Sequence, residues 1–432
     1  MERIELTPGV HLNVIAGDKF KTNYLCVNFI VPLEKESAHL TALFPKILSR
    51  GCRNYPSMAS ISERLEYLYA SGLSPVYVKR AESIIVGFSA EFIKDAYLPD
   101  GETLLGDVTD LLFDILFDPL TENGVFRTDY TESEKIDLIN GINAKINNKA
   151  AYAKEKCTAL MFRSHPYGLS ETGTAEDVKN ATAAQAFARY REIADTAPIE
   201  IFFNGECDVT ALSERLRGRL PVRPNRKTDF PTRSFLVGEP DAVNEVTEEM
   251  PVAQGKLVMG LRMGQTNINS EDAAAFSVFN EIFGGSPSSK LFINVREAMS
   301  LCYYCRSMPD MFMSVMFIAA GIETENRALA ADAILAQLDA MKRGEFTKED
   351  IDDAKRSLIN AYKELDDSPA SLSLWYLSRI IFRNGLTPET VVRAVEKVSA
   401  EEIVRAANKV SLDTVYFIKG TGVTDAEQEE SK

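Results

Sequence analysis

The chain begins with strand-like patterning. Ile4-Glu5-Leu6, Val10–Ile15 and Tyr24–Val31 are short apolar runs, and the last (YLCVNFIV) is apolar enough to predict a buried strand. From His39 the period changes. Leu40, Leu43, Phe44, Ile47 and Leu48 recur at helical spacing, and the run ends at Arg50-Gly51. Pro45 falls inside it, where a proline removes a backbone donor and crowds the previous turn at a cost of about 3 kcal/mol. The helix is therefore expected to bend or end there. Met58–Tyr69 resumes the helical period, and Ser74–Phe92 alternates like a hairpin. Leu104–Leu116 and Tyr130–Phe162 predict helices, the second long and polar on one side, and Ile199–Phe203 predicts a strand.

Pro221–Met250 is rich in Pro, Arg, Asp and Glu and lacks periodicity, which marks a linker. Beyond it come a strand at Lys256–Leu261 and a helix at Ser270–Ile282. Further helices follow at Ala328–Met341, Lys348–Asp366, Leu372–Phe382, Pro388–Val395 and Glu401–Lys409, and the strand Thr414–Ile418 closes the pattern. The two halves repeat one another. A helix ending ILSRG at Gly51 precedes the hairpin SGLSPVYVKRAESIIVGFSAEF, and a helix ending NEIFGG at Gly285 precedes MSLCYYCRSMPDMFMSVMFIAAG. A duplicated α+β unit accounts for this. The expected organisation is an N-terminal domain (1–220), a linker (221–250), a homologous C-terminal domain (251–420) and a charged tail (421–432).

Composition narrows the function classes. At 432 residues, 45% apolar and 26% charged, the chain suits two or three globular domains. Its net charge of -15 argues against nucleic acid and against anionic membrane surfaces, both of which draw on clustered Lys and Arg. The N-terminal residues lack a secretory pattern, and no stretch approaches 18 uncharged apolar residues. Six scattered cysteines (Cys26, Cys52, Cys157, Cys207, Cys302, Cys305) suit reduced thiols in a cytoplasmic protein.

Four sets of residues resemble landmarks of one family. They are His39–Gly51 (HLTALFPKILSRG), Phe126 with Glu134-Lys135, the turn His165-Pro166-Tyr167-Gly168, and Gly284-Gly285 with Leu291-Phe292 and Arg296-Glu297. Together they resemble the insulinase/pitrilysin-type, or inverzincin, metallopeptidases, a family that includes the mitochondrial processing peptidases. That family carries H-x-x-E-H on a helix just before the glycine, two His for zinc and a Glu as general base, and a third ligand Glu on a later helix. The resemblance places Ala42 and Lys46 at the His positions, Pro45 at the base and Gly141 at the last ligand, while Glu134 matches the family's upstream Glu. The chain holds only His11, His39 and His165, and His39 has no His four residues on. The resemblance thus implies a member with no metal of its own.

Arg296–Tyr303 resembles the family's R-x6-Y element, with Tyr304 as a neighbouring alternative. In the family this Arg and Tyr bind the substrate backbone and help stabilise the oxyanion. A guanidinium and a phenol both donate hydrogen bonds to a carbonyl oxygen whose charge grows during attack. The bland alternative is a surface arginine and a core tyrosine.

Other motifs point elsewhere less strongly. Gly284–Ser289 lacks the P-loop pattern and reads as a turn into a helix. Cys302 and Cys305 have C-x-x-C spacing, but strand alternation is expected to put their sulfurs on opposite faces. There is no G-x-S-x-G elbow, and the carboxylates read as solvated faces.

The resemblance implies two homologous α+β domains, each an antiparallel sheet with helices packed on one face. It implies a non-catalytic subunit of a heterodimeric zinc peptidase that binds peptide substrates and supplies Arg296 and Tyr303 to an H-x-x-E-H-containing partner chain, where the zinc is expected. A homodimer, a purely structural scaffold subunit and a self-sufficient metallopeptidase with unrecognised ligands stand as alternatives.

Overall fold

The computed structural model of the chain describes residues 1–422 except 100, 232–234 and 237–239. The expected charged tail from residue 423 on, and those linker positions, lie outside the described residues.

Two sheets organise the fold. The strands are β1 (Glu2–Thr7), β2 (Val10–Ala16), β3 (Thr22–Pro32), β4 (Gly72–Arg80), β5 (Ser83–Ile93), β6 (Ile199–Gly205), β7 (Asn244–Met250), β8 (Gly255–Arg262), β9 (Cys302–Asp310), β10 (Val315–Ile322) and β11 (Ser411–Gly420). The first sheet runs β1-β2-β6-β3-β5-β4, and the second runs β7-β11-β8-β10-β9. Without β1, the two orders coincide strand for strand. Each sheet has one parallel pair at the same place, β2 with β6 and β7 with β11, and its other neighbours are antiparallel. Identical order and polarity establish the duplication.

The strand β7 was hidden in the expected linker. Its sequence, NEVTEEM, alternates exposure along its length and ends on buried Met250. Its five polar and charged exposed or half-exposed positions mask the period. By topology it is the counterpart of β2.

The chain forms two compact units. One comprises Met1–Ala144, Leu169–Arg233 and Pro369–Leu377; the other comprises Lys145–Gly168, Ser234–Ser368 and Ser378–Lys432. Each half of the sequence therefore lends one segment to the unit built mainly from the other half. The expected single helix over Tyr130–Phe162 breaks where the chain changes unit. It is two helices, Thr128–Ala144 and Lys149–Met161, separated by a tight turn at Lys145–Asn147. The Asn148 side chain caps the second by accepting from the Ala151 N–H at 3.1 Å. Within the second unit this helix packs on β8 and β11. A side chain at Gly260 would meet Met161 Sδ at 3.0 Å and Cys157 Sγ at 3.3 Å, so the bare glycine lets the helix lie close to the sheet.

Pro45 neither ends nor interrupts its helix, which runs Ala38–Leu48 through it. Eight of the eleven residues are buried, including Leu43, Phe44 and Ile47. Each buried aliphatic or aromatic side chain contributes about 1.5–3 kcal/mol, which together outweigh the proline penalty. Among the described residues, no helix is long and apolar enough to cross a membrane.

Candidate functional site

The first unit holds the positions where the resemblance places a zinc site. Ala42 and Pro45 are buried on the helix Ala38–Leu48, and Lys46 on the same helix is partly exposed. Gly141 lies exposed on Thr128–Ala144, with open space where a side chain would begin. These two helices pack against each other, so the fold does bring the four positions onto neighbouring elements. The chemistry does not fit zinc. A methyl, a proline ring and a glycine offer no donor atom, and the remaining group is an ammonium. Among the described residues, no three His, Cys, Asp or Glu side chains are grouped to hold a metal.

Of the polar groups near these positions, Glu134 has a structural partner. Glu134 is buried, and its Oε1 accepts from Arg50 Nε at 2.5 Å. Arg50 Nη2 also donates to Ser133 Oγ at 2.6 Å. His39, on the helix that lacks the zinc motif, packs against Gly173. Burial holds its imidazole below the ordinary value, with Asp177 opposing. The turn at His165–Gly168 belongs to the second unit. Tyr167 stacks edge-on against Phe162, and its hydroxyl donates to Asp310 Oδ2 at 2.7 Å, at the end of β9. Gly168 is needed there, because a side chain would stand 2.4 Å from the Phe162 carbonyl.

The second unit holds the Arg/Tyr element. Gly284-Gly285 ends a π-helical turn, Glu281–Gly285, and a second π-helical segment, Leu291–Ala298, carries Arg296. Wide π turns are frequent at functional sites. Arg296 lies over the ring of Phe292, 4.4 Å from its centroid, with Nε 3.5 Å from Glu297 Oε1. Tyr303 lies on β9, the outer strand of its sheet, and is 54% exposed. Its hydroxyl donates to Glu323, and that carboxylate pushes the phenol above its ordinary value. Arg296 and Tyr303 each have their own anchor, and among the described residues they are not bonded to one another. Tyr304 points the other way. Its ring fills the space a side chain at Gly321 would need, and Lys256 Nζ lies 5.8 Å from its centroid.

The expected separation of Cys302 and Cys305 is corrected by a β-bulge. Cys302 pairs with Ile322, Tyr304 with Gly321 and Cys305 with Ala320, so Tyr303 is an extra residue with no partner of its own. Ile322 and Ala320 share one face of β10, and the two cysteines therefore share it too. The bulge also explains why Tyr303 projects while its neighbours on both sides are covered. Sequence reading names Phe292 only as a landmark and misses Glu323; neither is recognised there as the group that holds Arg296 or Tyr303. Phe292 is one helical turn before Arg296, a spacing visible in the sequence. Glu323 is brought near only by the β9–β10 register.

Known proteins resemble this chain over nearly its whole length. The family model described as the peptidase M16 inactive domain matches residues 200–358. A Bacillus subtilis (strain 168) protein named probable inactive metalloprotease YmfF is 31% identical over 417 residues, covering 96% of each chain. The crystal structure of a conserved protein from Enterococcus faecalis V583 matches with a TM-score of 0.91 at 28% identity, covering 98% of this chain and 99% of that one. A peptidase M16 inactive domain from Pseudomonas fluorescens matches in fold, with a TM-score of 0.78 at 16% identity over 98% of this chain and 99% of its own.

Proposed function

The chain belongs to the insulinase/pitrilysin-type (M16) metallopeptidase family, as a member without the zinc motif, and from that premise we propose that it is the non-catalytic subunit of a heterodimeric peptidase. It binds an extended peptide and supplies Arg296 and Tyr303 to the active chamber of an H-x-x-E-H partner, which carries the zinc. The observation that carries this reading is the asymmetry between the two halves. All the metal-site positions are chemically empty, whereas the Arg/Tyr element is kept, with Tyr303 extruded by a bulge on an exposed edge strand.

The roles follow from the side chains. Arg296 presents a planar cation whose stem is braced on Phe292. Such a fork hydrogen-bonds a peptide carbonyl and stabilises negative charge on it during attack. Tyr303 adds a phenol donor, which Glu323 currently accepts from. The edge strands β4 and β9 each pair on one side only, which suits binding of an extended peptide by strand addition. The net charge of -15 favours basic peptides. Six free thiols suit a cytoplasmic protein.

The test is peptide cleavage by the purified chain alone and mixed with an H-x-x-E-H homologue from the same organism, with zinc measured on the same samples. The expected result is no cleavage and no zinc for the chain alone, and cleavage in the mixture that Arg296→Ala reduces. Cleavage with stoichiometric zinc in the isolated chain would overturn the reading. Activity in the mixture indifferent to both Arg296→Ala and Tyr303→Phe would instead make the chain a scaffold.

A further inference from the structure

We propose that Cys302 and Cys305 are a redox modification site, closing reversibly into a disulfide across the bulge at Tyr303. The geometry is specific to this pair. In a regular strand, residues three apart point to opposite faces. Here the bulge packs the three-residue step from Cys302 to Cys305 opposite a two-residue step on β10, from Ile322 to Ala320. At about 3.3 Å per residue, two partner positions span roughly 6.6 Å, near the upper end of the Cα separations that disulfides bridge. A bond closed near that limit is readily reduced, as regulatory disulfides are.

The surroundings favour the chemistry. Both thiols are free and mostly covered, in a strand packed against the Leu291–Ala298 helix that carries Arg296. The hydrogen bond from Cys305 holds the Cys302 thiol below its ordinary value; burial opposes this and the Arg296 charge adds to it. The same hydrogen bond, with burial, raises Cys305. One sulfur is thus disposed to attack as a thiolate while the other stays protonated. Cys157, in the same unit, lies near Gly260 on the opposite face of the sheet and cannot intercept the pair.

The oxidant is a peroxide. The Cys302 thiolate attacks one peroxide oxygen, the O–O bond breaks, and protonation of the departing hydroxide gives water and a sulfenic acid. The Cys305 sulfur then attacks the sulfenic sulfur, forming the S–S bond; the hydroxyl leaves as a second water, taking the Cys305 proton. Two thiols are oxidised to one disulfide and one hydrogen peroxide is reduced to two waters. A small-molecule thiol reverses the step by exchange. Tyr303, the residue extruded between the two sulfurs, is then held by a covalent ring.

The test uses the full-length protein, reduced, freed of reductant, treated with hydrogen peroxide and alkylated with N-ethylmaleimide. The tryptic peptide Glu297–Arg306 contains both cysteines and no others. The expected result is that this peptide loses two hydrogens and takes up no maleimide, and that dithiothreitol restores both sites to labelling. Cys302→Ser and Cys305→Ser should each abolish the loss, and Cys157→Ser and Cys207→Ser should leave it intact. Maleimide on both residues after peroxide, over-oxidation of Cys302 without a cross-link, or a disulfide mapped to another pair would overturn the proposal. The readout needs neither partner nor substrate, so its failure is distinct from failure of the subunit reading.

Discussion

Arg50, just past the helix Ala38–Leu48, and Glu134, on the helix Thr128–Ala144, are joined by a 2.5 Å bond between guanidinium Nε and carboxylate Oε1. The pair is mostly covered, with the carboxylate side chain 10% exposed. A carboxylate in that position needs its donor, since losing one partner leaves a buried charge unsatisfied. The pair therefore braces the first unit beside the positions where the resemblance places metal ligands.

Arg50→Ala is expected to destabilise the protein by about 2 kcal/mol, the range for hydrogen bonds to buried charged groups. Urea unfolding checks this as a lower midpoint with an unchanged slope. A midpoint equal to that of the unaltered protein would show that the brace contributes nothing.

Glu200, on β6, makes stability fall in acid. It is 1% exposed and accepts from Arg3 Nη2 at 2.5 Å and Asn13 Nδ2 at 2.7 Å, with His11 Nδ1 3.4 Å away. Burial alone would raise the carboxyl, but the nearby His11 and the bonds from Arg3 and Asn13 outweigh it and hold it below its ordinary 4.5. A depressed folded value means the unfolded chain takes up the proton first. The contribution is present above pH 4.5 and is lost as pH falls through the folded value. Urea midpoints across the acid range should decline in the unaltered protein and decline less steeply in Glu200→Gln. Parallel profiles would remove Glu200 as a cause.

Gly284 is expected to resist substitution. A side chain there would stand 2.6 Å from Leu291 Cδ1 and 2.9 Å from the backbone nitrogen of Ser307 on β9. Neither the π-helical turn nor the strand can give way freely, so Gly284→Ala should cost about 1–3 kcal/mol. Thermal unfolding measures it. Gly218→Ala, which meets nothing within 4 Å on the helix Val209–Arg219, should be neutral or mildly stabilising.

In the mixed assay with an H-x-x-E-H partner, Arg296→Ala should lower kcat/KM by about 100-fold, the scale of one lost oxyanion donor. Arg296→Lys keeps the charge but loses the planar fork and should recover only part of it. Glu323→Gln tests the neighbour. If Glu323 only parks the Tyr303 hydroxyl, that variant keeps activity while Tyr303→Phe loses it.

The periodicity of Tyr24–Val31, Ser74–Phe92 and Ile199–Phe203 made the first sheet legible, because burial on a pleated surface leaves a local pattern. The strand Asn244–Met250 was illegible, since its pairing with β11 depends on residues more than 150 positions away. The empty zinc positions were legible as residue types. Their buried brace was not, because Arg50 meets Glu134 across 84 residues of chain.

The sequence by itself determined the duplicated α+β organisation and the residue types at Ala42, Pro45, Lys46 and Gly141, where the resemblance places metal ligands, since repeat patterns and side-chain types are local properties. Only the tertiary structure decided how the chain changes unit at Lys145, whether Pro45 breaks its helix, and which face each cysteine takes. Those outcomes depend on competition between local preference and long-range packing. At Pro45 the buried apolar face wins over the proline penalty. At Tyr303 the register with β10 inserts one residue, and that single insertion turns Cys302 and Cys305 to the same side.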